Sequence, residues 1–380
     1  MNPLIQLDLP ALRRRRSMKW CRYPGDVLPL WVAEMDTPLA PPVAEALSQA
    51  VRMGDTGYAD VGQLAEAFAG FAHSRFGWWP DPAHCVLVGD VAQGIAEVLR
   101  IVTAPGDVVL IGGPTYSPFR RIIPNIGRVL RENPMTRGAD GRFRLDLGRL
   151  ASDLAAPEVT AYLLVNPHNP AGSVPSRADL VAVATLCEQH GVRLLSDEIH
   201  APLVYAGREF VPLLSLPEAS RAIAFVSASK AWNLAGLKSA LAVAGPAAAA
   251  DVRAIPEDAQ VAAGNLGVHA SEAAFRAGGP WLDDLLAGLD QNRTLLESLF
   301  AKHLPGIRYA PPEATFLAWL DCSELGLGDD PAAHFLERGR VALSSGPEFG
   351  PMGRGFARLN FATSPEILAD GVQRMAAALA

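Results

Sequence analysis

Between residues 88 and 245 the chain repeats one pattern: a short apolar run, a stretch with helical spacing, then another apolar run. The runs are "VVLI" from 108, "AYLLV" from 161, "VRLLS" from 192, "AIAFV" from 222 and "LAVAG" from 241. Their hydrophobicity is continuous rather than alternating, which suits strands buried on both faces, as in a parallel sheet. Between two of them, "PSRADLVAVATLCEQHG" places Leu180, Val183, Ala184 and Cys187 on one helical face, with Ser176 as the N-cap and Gly191 as the stop. The unit is strand, helix, strand, and the expected class is α/β, with a mainly parallel central sheet flanked by helices. Before residue 40 and after about 280 the texture changes to proline-rich loops and separate helices such as "WLDDLLAGLDQNRTLLESLF". We expect residues 40–280 to form a large domain, and 1–39 with 281–380 a smaller α/β domain built from both chain ends.

Composition excludes several classes. At 380 residues and 49% hydrophobic content the chain can bury a large core. No apolar run reaches the length of a membrane span, and the N-terminus lacks a signal-peptide pattern, so the expected location is cytoplasmic. Cys21, Cys85, Cys187 and Cys322 stand singly, without the spacing of a thiolate metal site, and no metal is expected. A formal net charge of −7 offers nothing to nucleic acid, and the one basic run, Arg13 to Arg16, reads as a solvated or interface-facing segment. No GxGxxG comes after a strand, and neither GxSxG nor HExxH occurs.

The residues just beyond the strands are more informative. "AYLLV" runs into "NPHNPAG", "VRLLS" into "DEIH" and "AIAFV" into "SASK". Three successive strands therefore deliver polar groups at their carboxyl ends, the edge where open α/β sheets bind ligands. Asn169, Asp197 and Lys230 are expected to converge there. A desolvated lysine amine has a lowered pKa and forms Schiff bases readily. Pyridoxal 5′-phosphate supplies the matching aldehyde, its pyridine nitrogen calls for a buried carboxylate such as Asp197, and Asn169 can donate to its ring oxygen. The segment "VGDVAQGIAEVLRIV" reads as a tight turn entering an amphipathic helix, so Val91 and Ala92 are candidates for a phosphate cradle. The Ser227 hydroxyl and Lys238, which lies beyond "NLAG", would complete it.

"SASKAWNLAGLK", "VNPHNPAG", "LSDEIH", "GPTYSPF" and "FARLNFA" together resemble the fold-type I pyridoxal-phosphate enzymes of the class I/II aminotransferase superfamily. Within it, "KWCRYPGDVLPLWVAEMDTPLAPPV" and "DEIH" resemble the MalY/PatB group of cystathionine beta-lyases, or cysteine C-S lyases, over nearly the whole chain. The resemblance implies that Lys230 is the Schiff-base lysine, that Asp197 pairs with the pyridine nitrogen, that Asn169 bonds the ring oxygen and that Tyr116 stacks on the ring. It implies Arg358 as the two-pronged binder of the substrate α-carboxylate, with Asn169, Val32 and Ala33 beside it. It places His200 near the cofactor, and Tyr58 at a homodimer interface where it reaches the neighbouring subunit's phosphate.

The implied reaction is α,β-elimination from L-cystathionine or a related cysteine S-conjugate, giving pyruvate, ammonia and a thiol. Lys230 and Asp197 would serve an aminotransferase equally well, and a cofactor-bearing protein that binds a regulatory partner is a third possibility. Three departures from the group's pattern stand out: Glu34 in "WVAEMD", the missing acidic residue after "DEIH", and "GDVAQG" in place of a glycine-valine phosphate loop.

Overall fold

The computed structural model describes residues 1–380. Its centre is a seven-stranded sheet made of β1 (Cys85–Val88), β2 (Val108–Gly113), β3 (Val129–Pro134), β4 (Val159–Val165), β5 (Arg193–Asp197), β6 (Ile223–Val226) and β7 (Ala240–Ala244). The strand order is β1-β7-β6-β5-β4-β2-β3. Five of the apolar runs read from the sequence are β2, β4, β5, β6 and β7, and each is almost wholly buried.

One direction differs from expectation. β7 pairs antiparallel with both of its neighbours, whereas the other contacts within the sheet are parallel. A strand buried on both faces is apolar throughout whichever way it runs, so the run "LAVAG" carried no sign of its direction. The parallel neighbours are aligned at their ends: Val165 lies opposite Asp197, and Asp197 opposite Phe225. The polar residues beyond these strands therefore leave the sheet at one level.

Helices cover both faces. α1 (Val91–Val102) buries Ile95, Val98 and Leu99 against the sheet. Gly94 permits the close approach, because a methyl there would stand 2.9 Å from Val88 and 3.1 Å from Phe225. α2 (Arg177–Gln189) begins with a complete capping box between Ser176 and Asp179 and buries Leu180, Val183, Ala184 and Cys187, as its spacing predicts.

α3 (Asn265–Ala277) and α4 (Gly279–His303) lead to a second, antiparallel sheet: β8 (Arg308–Tyr309), β9 (Leu317–Asp321), β10 (Ser344–Ser345) and β11 (Phe356–Asn360), in the order β8-β9-β11-β10. The N-terminal segment runs between the two sheets. Leu28 and Pro29 pair with Val341 and Ala342, and the Asp36 amide donates to Ala362. Arg15, from the basic run, is not simply solvated: it donates to the Met35 and Thr37 carbonyls and ties this segment down. No helix is long and apolar enough to cross a membrane.

Candidate active site

The carboxyl edge of β4, β5 and β6 opens into a cavity. Asn169, Asp197, His200, Tyr116, Lys230, Lys238, Val91, Ala92 and Ala33 all line it, and so they meet although they come from six separate chain segments.

Lys230 stands four residues beyond β6 and sits in a turn held from within. Ser227 Oγ donates to the Ser239 carbonyl at 2.7 Å and accepts the Ser229 amide at 3.1 Å. The Lys230 amine donates to the Ala33 carbonyl at 2.9 Å, which brings the N-terminal segment to the cavity wall. Burial, reinforced by the nearby Arg358 charge, pulls the amine down to about 8. Asp197, at the end of β5, moves the other way. Burial raises its carboxyl to about 6, against the opposing pull of the Ile199 amide at 3.1 Å and of Lys230. Each group is thus held nearer neutrality than in water, and a cation placed against Asp197 would be strongly stabilised.

Arg358, on β11, is buried and held from three sides. Nη1 donates to Asn169 Oδ1 at 2.9 Å, and Nη2 donates to Ser344 Oγ at 3.1 Å and to the Trp31 carbonyl at 3.2 Å. Its guanidinium carbon lies 4.9 Å from the centre of the Phe349 ring, and its Nε has no partner. Burial lowers it to about 10, yet it remains a cation at neutral pH. Val32 and Ala33 bracket this region through their carbonyls. Asn360 donates to Val32 at 2.7 Å, and Lys230 donates to Ala33.

Tyr116 packs edge-on against Phe119, and burial raises its hydroxyl pKa. His200 is buried with Nδ1 unpartnered, and desolvation, with the Lys230 and Arg358 charges, holds its pKa well below the ordinary value. It is therefore a neutral imidazole.

At the far end of the cavity Val91 and Ala92 form the first turn of α1. Lys238 stands beside them, with its Nζ 2.7 Å from Asp90 Oδ2. One sequence expectation needs amendment here. The serines lining the cavity are Ser229 and Ser239, because the Ser227 hydroxyl is turned inward to bond the Ser239 carbonyl. Tyr58 is 90% exposed and does not reach the cavity of its own chain.

Sequence reading passed over Asp90, although an aspartate placed before an apolar-periodic run with Gln93 three residues on is an N-terminal helix signature. It also passed over Ser344, whose contact with Arg358 links separate strands and leaves no local trace. Glu198, next to Asp197, is buried on the far side of the strand. Burial raises it to about 7, while the Leu213 amide at 3.0 Å and Ser196 at 3.1 Å pull against that rise.

The donor set suits a phosphorylated aromatic aldehyde. It combines a buried amine of lowered pKa, a buried carboxylate, an aromatic wall and a helix N-terminus with a lysine beside it.

Comparison with known proteins agrees. A Mycobacterium tuberculosis protein, described provisionally as a cystathionine beta-lyase, is 49% identical over 100% of this chain and 98% of its own. Cystathionine beta-lyase PatB of Bacillus subtilis is 36% identical over 96% of this chain and 97% of its own. Among solved structures, the PLP-bound C-S lyase of Staphylococcus hominis in complex with L-cycloserine superposes with a TM-score of 0.92 at 26% identity, covering 100% of this chain and 99% of that one. The family model described as aminotransferase class I and II matches residues 25–375, nearly the whole chain. A match of that extent shows that this chain belongs to the class I and II aminotransferase family.

Proposed function

We propose that the protein is a pyridoxal 5′-phosphate-dependent carbon-sulfur β-lyase that converts L-cystathionine or a related cysteine S-conjugate to pyruvate, ammonia and a thiol. The observation that carries this reading is the convergence of Lys230, Asp197 and the α1 N-terminus on one cavity, in a chain whose relatives bear that activity in their names.

Lys230 would attach the cofactor, Asp197 would hold the ring N–H, Asn169 the ring oxygen and Tyr116 the ring face. The first turn of α1 at Val91 and Ala92, with Lys238, would hold the phosphate. Bound there, pyridoxal phosphate supplies an aldehyde carbon that takes up the substrate amino group and a ring that accepts the electron pair left at Cα.

The chain's own groups do the rest. Arg358 takes the α-carboxylate and so fixes which Cα bond faces the base. The Lys230 amine, once free, removes the Cα proton. Its lowered pKa, near 8, leaves a fraction of the amine neutral at physiological pH and lets the same group return the proton. The Cβ–S bond then breaks with its electron pair leaving on the thiolate, the Lys230 amine displaces the substrate nitrogen, and water hydrolyses the freed 2-aminoacrylate to pyruvate and ammonia.

The same reading divides the chain into a large cofactor-binding domain, residues 40–280, and a small domain of 1–39 with 281–380. It also makes the protein a cytoplasmic homodimer in which Tyr58 serves the neighbouring subunit's phosphate site.

The test is a substrate panel assayed for pyruvate, ammonia and thiol. Cystathionine is expected to yield all three without added keto acid. Turnover that strictly requires a keto acid would make the protein an aminotransferase, and negligible turnover on every amino acid would point to a regulatory binding protein.

A further inference from the structure

The residues lining the cavity include two carboxylates, and the mechanism uses only Asp197. The other, Asp90, occupies the end proposed for the phosphate. As the N-cap of α1 it accepts the Gln93 amide at 2.8 Å, and its Oδ2 lies 2.7 Å from Lys238 Nζ. Lys238 is held in place by its backbone. It adopts a left-handed φ of 59°, and its carbonyl accepts the Gly264 amide at 2.7 Å. An anion of the protein's own thus already engages the helix end and the cation on which a phosphate would depend.

We propose that Asp90 acts as an internal competitor of the cofactor phosphate, sharing Lys238 and the α1 N-terminus with it, so that the cofactor is held less tightly than the cradle alone would hold it and stays exchangeable. The inference rests on the pyridoxal-phosphate reading. Its physical basis is that two anions face one ammonium and one helix end. Their mutual repulsion is weakened but not abolished in a half-exposed site. Lys238 offsets the Asp90 charge, and for that reason it cannot give its full charge to the phosphate.

Two simpler roles for Asp90 predict different outcomes. If it only caps the helix, asparagine, which caps equally well, leaves phosphate affinity unchanged. If it aims Lys238 at the phosphate, asparagine weakens binding. Competition alone predicts tighter binding once the charge is gone.

The experiment titrates apoenzyme with pyridoxal 5′-phosphate and, separately, with pyridoxal, reading the dissociation constant from the absorbance of the bound cofactor. The proteins are the wild type, Asp90→Asn, Asp90→Ser, Lys238→Ala and the Asp90→Asn/Lys238→Ala pair, each first shown folded by thermal unfolding. Both Asp90 variants keep a capping side chain, and each is expected to tighten pyridoxal phosphate about three- to tenfold while leaving pyridoxal unchanged. The gain should shrink as salt is raised and grow in the Lys238→Ala background, where the carboxylate is no longer offset. Unchanged or weaker phosphate binding in the Asp90 variants, or equal tightening of pyridoxal, overturns the proposal. A wild type that prefers pyridoxal phosphate no more than pyridoxal, with no borohydride-trapped adduct on Lys230, would remove the cofactor reading and this inference with it.

Discussion

At the residue scale, the proposed chemistry rests on two buried groups whose pKa values are shifted toward each other. An ordinary lysine titrates near 10.4, whereas Lys230 is held near 8, so its neutral, nucleophilic fraction grows as the pH rises through 8. The rate at which apoenzyme captures pyridoxal phosphate should therefore climb through that pH and level off above it, and Lys230→Ala should yield no borohydride-trappable adduct at any pH. Stopped-flow absorbance and peptide mapping check both. Arg358→Lys keeps the charge but loses the planar fork that Asn169 and Ser344 hold, and kcat/KM for cystathionine should fall about a hundredfold. A variant with unchanged kcat/KM would remove Arg358 from carboxylate binding. Lys230, Asp197 and Asn169 were legible in the sequence because each stands a few residues beyond a buried strand or at its end, and neighbouring strands end in register. Which serine of "SASK" faces the cavity was not legible, because a hydroxyl can equally satisfy a turn's own backbone, as Ser227 does. The Asp90 to Lys238 pair spans 148 positions, and nothing local announces it.

At the element scale, the close approach of helices to the sheet and to the lysine turn depends on contacts that glycine makes possible. Gly267, in α3, lies over the carbonyl of Leu237, and a methyl group there would collide with it and crowd Ser239. Gly267→Ala is expected to push α3 off the lysine turn, cost about 1–3 kcal/mol of stability and loosen cofactor retention by shifting Lys238. Thermal unfolding and equilibrium dialysis measure the two effects, and a variant that unfolds and retains cofactor like the wild type would deny that contact any part in placing the turn. The helices were readable from apolar spacing and from caps such as Ser176, whereas the direction of β7 was not. Residues 227–239 bridge β6 and β7 without a long crossover helix. An antiparallel return is the natural result, but the apolar run itself says nothing of it.

At the scale of the whole molecule, the N-terminal segment fastens the two sheets together across the site. Asn360 donates to the Val32 and Glu34 carbonyls, Asn233 exchanges hydrogen bonds with Met35, and Lys19 forms a fully buried ion pair with Asp36 at 2.7 Å. The sequence placed this segment with the C-terminal region by texture alone, and its pairing partners became visible only in three dimensions. Tyr58 stands exposed on the same molecule as the exposed apolar side chains Val51 and Met53. If it serves a second subunit, Tyr58→Phe should leave the fold and the dimer intact yet release cofactor several-fold faster, which light scattering and dialysis would detect together. A monomer in solution would rule that role out. The reversal at β7 also bears on which ligands the cavity admits. Because the chain goes up β6 and straight back down β7, Lys230 and Lys238 hang from one rim on a bend pinned at both ends. The bend fixes where the backbone of each lysine stands, so under the proposed reading the aldehyde and anionic ends of a ligand must match the span that this bend and the two lysine side chains together allow.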